Sequence, residues 1–233
     1  MQIELEDFSI TSFEEIINKK EKKCILYCDF NVANILFDQD LYIPKDFIIY
    51  PDSTLFYLAL KWIKRIKINR LVSTNLLYQV IRTANDKKLK LYLFGDKKEI
   101  IELSREKFLT NYSSISLVGY CNGYNYDTKQ VLEDINKLKP DVLLVGLGAG
   151  RQEKWLVQNF NFLPPLVGLS VGGFFQYLSG VKNRAPFLFL NLRLEWLYRI
   201  ITELKLVWRK YTFQAIKFVF RVVTKRLNFQ YRH

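Results

Sequence analysis

The chain has 233 residues, 49% of them hydrophobic, which is enough for one well-buried domain. Three cysteines, with Cys24 and Cys28 four apart and Cys121 remote, lack the spacing of a zinc site, and buried free thiols are the reading adopted for them. The only histidine is His233, so histidine triads and most histidine metal sites are excluded, and a general base must come from Asp, Glu, Lys, Tyr or Cys. The net charge of +12 is concentrated at one end: eight basic residues and no acid follow Glu203, leaving 27 basic against 23 acidic residues up to and including it.

The opening stretch MQIELEDFSI is acidic and has no charged-then-apolar leader, so no signal peptide is expected. Apolar runs of strand length then alternate with helix-period segments. The runs are KCILYC (23–28), FIIY (47–50), KLYLFG (90–95), SLVGY (116–120), DVLLVG (141–146) and PLVGLSV (165–171). Between them lie TLFYLALKWIKRI (54–66), KEIIELSREKF (98–108) and TKQVLEDINKL (128–138). This alternation predicts an α/β fold, a Rossmann-like mostly parallel sheet with helices on both faces, whose ligands bind at the carboxyl ends of the strands. The boundaries predicted are an α/β domain over 1–190 and a C-terminal helical appendage over 191–233.

Residues 155–181 carry no charge and imitate a membrane span, yet Pro164, Pro165, Gly168, Gly172 and Gly173 interrupt them, so a buried strand between loops is expected. The turn GLGAG (146–150) places three alternating glycines before a helix start, where a backbone can approach a ligand and helix N–H groups can face anionic oxygens. A dinucleotide fingerprint would need glycine at Arg151 and an acid about twenty residues on, and no GxxxxGK[ST] sequence exists, so neither NAD nor a Walker-type ATP site is predicted. The pair Asp38 and Asp40 has DxD spacing but lies in or after a helix-like run, which disfavours a metal role.

Three linked motifs resemble one family. VGLGAGRQEKW (145–155) is similar to VGLG-x-P-x-QE-x-W of the WecG/TagA/CpsF-type glycosyltransferases (glycosyltransferase family 26). SVGGFFQYLSGVKNRAP (170–186) resembles its GVGAxFDFxxGxxxRAP, and LRLEWLYRIITEL (192–204) its LEWLYRLxxEP. PDS (51–53) stands where that family has PDG, and NGY (122–124) at a similar turn. The resemblance spans about residues 25–211. It implies inverting transfer of a sugar from a UDP-sugar to an undecaprenyl-diphosphate-linked saccharide, without a metal or other cofactor, in bacterial surface polysaccharide synthesis.

The resemblance also implies roles. Asp52 is the candidate base, its alternative reading being a helix cap in Asp52-Ser53-Thr54. Asp29, in DFN where the family has a TxN element, competes for that role, and Asn31 is retained as a donor-binding residue. Gly146, Gly148, Gly150, Gln152 and Gln176 are expected at the donor, as are Arg70 and Arg184 at its diphosphate. Glu153 is read either as donor-binding or as a residue that suits the helix dipole. Arg199 and Arg209 are expected at phosphates of acceptor or donor. The chain departs from the family pattern at Gln176 (Asp), Gly150 (Pro), Ser53 (Gly) and Asp29 (Thr).

In the tail, Trp208, Tyr211, Ala215, Val219, Val222, Val223 and Leu227 recur at helical spacing, while Lys210, Lys217, Arg221 and Lys225 line another side. Such a basic amphipathic helix suits an anionic membrane surface, which predicts a peripheral protein at the cytoplasmic face of the inner membrane. The same helix could pack on the domain, or on a neighbouring subunit to form a homo-oligomer. A catalytically degenerate UDP-binding protein is the second functional reading. A nucleic-acid binder is the third and is disfavoured, since the body carries little excess charge and no such motif.

Overall fold

In the computed structural model, the described residues are 1–63, 65–66, 72–112, 114–183, 185–186, 189, 198, 201–202 and 210–231. Six strands form one parallel sheet: β2 (Lys23–Cys28), β3 (Phe47–Pro51), β4 (Lys90–Gly95), β5 (Ser116–Cys121), β6 (Val142–Gly146) and β7 (Val167–Ser170). Their spatial order is β3-β2-β7-β6-β4-β5, and every pairing is parallel. All six predicted strand runs are therefore strands, within one or two residues at their ends.

Strand residues alternate between two cores, as a sheet covered on both faces requires. Along β6, Leu143 and Val145 join one cluster and Val142 and Leu144 the other, all four fully buried. On the first face lie α2 (Phe30–Asp38), α3 (Thr54–Ile63), α6 (Thr128–Leu138), α7 (Arg151–Asn159) and α9 (Ala215–Val223). On the second lie α1 (Ile10–Lys19), α4 (Ser73–Asp86), α5 (Lys98–Asn111) and α8 (Phe174–Leu178). Burying one such Val or Leu side chain contributes about 1.5–3 kcal/mol, so the strand runs carry much of the stability.

Two short strands extend the fold. β1 (Gln2–Leu5) and β8 (Asn228–Tyr231) pair in parallel, in the register Gln2↔Asn228 to Leu5↔Tyr231. The Glu6 N–H donates to the Ile49 carbonyl at 2.8 Å, which ties this ribbon to the outer edge of β3. Behind it, Phe56 of α3, Phe218 of α9 and Phe229 of β8 form an aromatic trio with centroids 5.3–5.9 Å apart.

The tail helix departs from its predicted orientation. Arg221 is buried: its guanidinium donates to the Asn34 carbonyl and Oδ1 and to Asp38 Oδ1, and lies 4.3 Å from the Phe37 ring centroid. Lys217 donates to the other oxygen of Asp38 at 2.8 Å. Part of the supposed outward basic face thus faces α2, because Asp38 supplies its counter-charge. Phe213, Ile216, Val219, Phe220 and Val223 point outward instead, with Lys225 and Arg226 at their edge. Among the described residues, no helix is long and apolar enough to cross a membrane.

Candidate active site

The carboxyl ends of the strands gather the candidate residues. From β4 the chain leaves through α5 to β5, and from β6 it leaves in the opposite direction through α7 to β7, on the other face. In sheets of this kind such a divergence marks where a ligand crevice forms, here at the ends of β4 and β6. Gly95 and Gly146 meet there so closely that a Cβ on Gly95 would lie 2.4 Å from the Gly146 backbone. The Asp96 N–H donates to the Gly146 carbonyl at 3.0 Å, and the Gly123 N–H to the Asp96 carbonyl at 2.7 Å. The NGY turn thereby closes over the β4 end.

The three alternating glycines of the turn meet three different needs. At Gly146 a side chain would strike the Phe175 ring at 2.7 Å. Gly148 and Gly150 both have φ +86°, a conformation that strains other residues. A Cβ on Gly150 would meet Ile35 of α2 at 2.7 Å, whereas at Gly148 it would meet the Arg151 guanidinium at an ordinary 3.7 Å. Proline, with φ fixed near −65°, could not adopt the conformation that Gly150 has here.

Gln152 and Glu153 follow immediately and are fully buried. Glu153 Oε2 accepts the Gly150 N–H at 2.6 Å and Oε1 accepts the Gln152 side-chain amide at 2.7 Å. Gln152 Oε1 in turn accepts the Gly172 N–H at 3.0 Å, and its side chain hydrogen-bonds the phenol of Tyr27 in β2. One polar chain therefore joins the ends of β2, β6 and β7. The N–H groups expected to await an anion at the start of α7 differ from that expectation at Gly150, whose N–H is capped by the protein's own carboxylate. Burial first, and the charge of Asp29 next to it, push the Glu153 carboxyl up to about 7 against its hydrogen bonds.

Asp29 and Asp52 stand at the ends of the neighbouring strands β2 and β3, and the Asp52 N–H donates to the Cys28 carbonyl at 2.8 Å. Asp29 is 5% exposed and caps α2, its Oδ1 accepting the Val32 N–H at 2.8 Å. Such a cap contributes about 1 kcal/mol. Asp52 does not cap α3; Ser53 does, its hydroxyl accepting the Phe56 N–H at 3.3 Å. Asp52 Oδ1 instead accepts the Ser73 N–H at the start of α4, at 3.4 Å, a long and weak contact. Burial, then the charge of Asp29, raise the Asp52 carboxyl above the usual range, against hydrogen bonds from Ser53 and Ser73. Burial and the charges of Glu153, Asp29 and Asp52 likewise raise Tyr27 and Cys28, which marks one electrostatically coupled cluster.

Asn31 lies in the first turn of α2, two residues beyond Asp29, and is partly buried. Gln176 of α8 reaches the crevice, where its side-chain amide donates to Asp96 Oδ2 at 3.1 Å. Asp96 is a site residue that sequence reasoning missed. It is nine-tenths buried at the carboxyl end of β4, and its Oδ1 accepts the Lys97 N–H at 2.8 Å. An acid directly after the KLYLFG run was the available signal. Arg151 is another, its guanidinium 5.4 Å from the Tyr124 ring centroid. Arg70, Arg184, Arg199 and Arg209 lie outside the described residues.

Asp38, half of the DxD pair, is engaged by Lys217 and Arg221 as described above. A cavity of about 530 Å³ lies away from the candidate site, between Met1–Glu4 of the N-terminal ribbon, residues 40–45 and the outer edge of β3.

Comparison with known proteins agrees with the motifs. A profile of the Glycosyl transferase WecG/TagA/CpsF family matches residues 2–232. An N-acetylglucosaminyldiphosphoundecaprenol N-acetyl-beta-D-mannosaminyltransferase of Bacillus subtilis (strain 168) is 34% identical over 157 residues, covering 66% of this chain and 60% of the relative. Proteins of the same name from Bacillus spizizenii and Staphylococcus aureus (strain NCTC 8325 / PS 47) are 30% and 28% identical. Those matches cover 68% and 69% of this chain and 61% and 63% of the relatives. The matched stretch thus spans about three fifths of each relative's length.

Proposed function

The chain belongs to the glycosyl transferase WecG/TagA/CpsF family, and on that footing we propose that it transfers a sugar from a UDP-sugar to an undecaprenyl-diphosphate-linked saccharide. The observation that carries the reading is the row of strand ends: Asp52 on β3, Asp29 on β2, the Gly172 turn on β7 and the Gly146–Gly150 turn on β6, all on one edge of one parallel sheet. A carboxyl and a glycine turn on the same edge of one sheet are what displacement from a nucleotide-sugar needs.

In this reading Asp52 is the base. The acceptor hydroxyl oxygen attacks the anomeric carbon opposite the UDP, Asp52 takes the hydroxyl proton, and the bond to the diphosphate oxygen breaks with its electron pair leaving on UDP. A raised carboxyl suits this work, because basicity increases with it. Asp29 keeps its place as the cap of α2 and raises Asp52 by its charge. Asn31, Gln176 and the glycines line the donor. Gln152 and Glu153, buried and bonded to each other, hold the two turns around it. Arg70, Arg184, Arg199 and Arg209 are assigned to phosphates on the motif likeness alone.

The lipid-linked acceptor requires access to a membrane surface. Phe213 just before α9 and Ile216, Phe220 and Val223 on its outward face supply it by inserting at the cytoplasmic face, with Lys225 and Arg226 over anionic headgroups.

The test is UDP release from a panel of UDP-sugars, UDP-N-acetylmannosamine first, with and without undecaprenyl-diphosphate-linked N-acetylglucosamine. Acceptor-dependent release from one donor supports the transferase and names its sugar. UDP binding with no turnover on any donor favours a degenerate nucleotide-binding protein, and absence of UDP binding overturns both.

A further inference from the structure

If a nucleoside diphosphate occupies this crevice, as proposed above, its phosphates meet an unusual helix end. At most α-helix starts, bare N–H groups and the positive end of the dipole face the anion. Here the Gly150 N–H is already given to Glu153 Oε2 at 2.6 Å, and the Gln152 N–H to the Gly148 carbonyl at 3.2 Å. The Gly150 N–H is thus spent on the protein's own carboxyl rather than left for a phosphate. A cation from elsewhere has to compensate.

Arg151 is placed to do so. Its side chain folds back over Gly148, with Nη2 3.7 Å from where a Cβ would stand and, apart from the neighbours in the chain, no other atom within 4 Å of that point. Gly148 is thus a gap in the turn roofed by a guanidinium. Tyr124, on the turn that follows β5, holds that guanidinium from the far side of the crevice mouth, 5.4 Å from ring centroid to guanidinium carbon. Both residues are exposed, and among the described residues no carboxylate forms an ion pair with Arg151.

We propose that Arg151, held over Gly148 by Tyr124, binds the diphosphate of the nucleotide at the glycine turn. The planar guanidinium meets two phosphate oxygens in a fixed fork, a geometry that a lysine ammonium does not hold. Tyr124 acts by position, restricting a long side chain that would otherwise lose rotamer freedom on binding.

The experiment compares UDP and uridine binding to wild type, Arg151→Gln, Arg151→Lys and Tyr124→Leu. Calorimetry reads UDP, and ligand-observed NMR reads uridine at millimolar concentration. The expected result is a loss of UDP affinity of roughly tenfold or more in Arg151→Gln, with uridine affinity unchanged. Arg151→Lys should fall between wild type and Arg151→Gln, and Tyr124→Leu should lose a few-fold for UDP alone. UDP affinity in Arg151→Gln within twofold of wild type overturns the proposal. So does an equal loss for UDP and uridine, which would put Arg151 at the base or in the fold. A wild type that binds no UDP overturns the donor reading itself, and this proposal with it.

Discussion

Arg221 of the tail helix and Asp38 of α2 form an ion pair across 183 positions of sequence, with the arginine buried and the aspartate half-exposed. Lys217 shares the same carboxylate. Removing the arginine leaves the Asn34 carbonyl and Oδ1 without their donor as well. Arg221→Met should therefore cost about 2–3 kcal/mol, read by urea unfolding. The pair is also acid-sensitive. Although burial by itself raises Asp38, the hydrogen bonds and charges of Arg221 and Lys217 hold it below the usual carboxylate range. A carboxyl lowered on folding contributes stability above its unfolded pKa and loses it as pH falls through the folded value. Asp38→Asn should flatten the acid limb of the stability profile.

Glu153 has the opposite sign. Its folded pKa, about 7, lies above the unfolded one, so the folded state holds a proton that the unfolded state has released. Stability from this group should fall as pH rises from about 4.5 to about 7, by up to roughly 3 kcal/mol, and then level off. Glu153→Gln removes the titration, and its slope over that window should be flatter than that of wild type. Equal slopes would show that Glu153 does not carry it.

At Asp52 the prediction is kinetic. Asp52→Asn keeps the shape but not the basicity, and should lower kcat by about 10²–10⁴ with little change in UDP affinity. Because burial and Asp29 raise this carboxyl, the acid limb of the wild-type kcat/KM profile should lie above the usual carboxylate range. A variant that retains full turnover would remove Asp52 from the base role.

The glycine turn separates two kinds of cost. Gly148→Ala and Gly150→Ala both meet a positive φ, but only at position 150 does the new methyl also strike Ile35. Gly148→Ala should cost about 1 kcal/mol and Gly150→Ala about 2–4 kcal/mol. Thermal unfolding of the two variants checks the order.

Vesicle binding tests the outward face of α9. Phe220 and Ile216 are 56% and 71% exposed. Ile216→Ser with Phe220→Ser should weaken partition to anionic vesicles by tenfold or more, since each apolar side chain buried in lipid is worth about 1.5–3 kcal/mol. Lys217→Gln should change it little, because that ammonium is already on Asp38. The reverse pattern would restore the basic face as the membrane contact.

How far these features could be read from sequence follows from the range of the interactions. The six sheet strands are legible because each is a dense apolar run that is buried on both faces whatever its neighbours. β1 and β8 are not, since QIEL and NFQY are short and acquire meaning only by pairing with each other. The tail helix is recognisable as amphipathic, but the sequence leaves open which of its faces packs on the body. Periodicity separates the faces, but only the distant Asp38 decides which one is satisfied by the body. At the site, the glycine turn is visible as a strand-to-helix run of glycines, whereas Asp29 and Asp52 come forward through the likeness of DFN and PDS to family motifs. The burial of Gln152 and Glu153 and the partnership of Asp96 with Gln176 depend on the approach of β7 and α8, which no local pattern records.

The parallel ribbon of β1 and β8 has a consequence for how the protein is made. Gln2 leaves the ribosome long before Asn228 is synthesised, an interval on the order of ten seconds or more at ordinary elongation rates. Throughout that time the first strand has an unpaired edge, and Phe56 waits for Phe218 and Phe229. The six-stranded sheet can assemble during translation, but the seam between β1 and β8 closes only after Tyr231 has emerged. Removing residues 228–231 would therefore leave β1 without the strand it pairs with and Phe56 without Phe229.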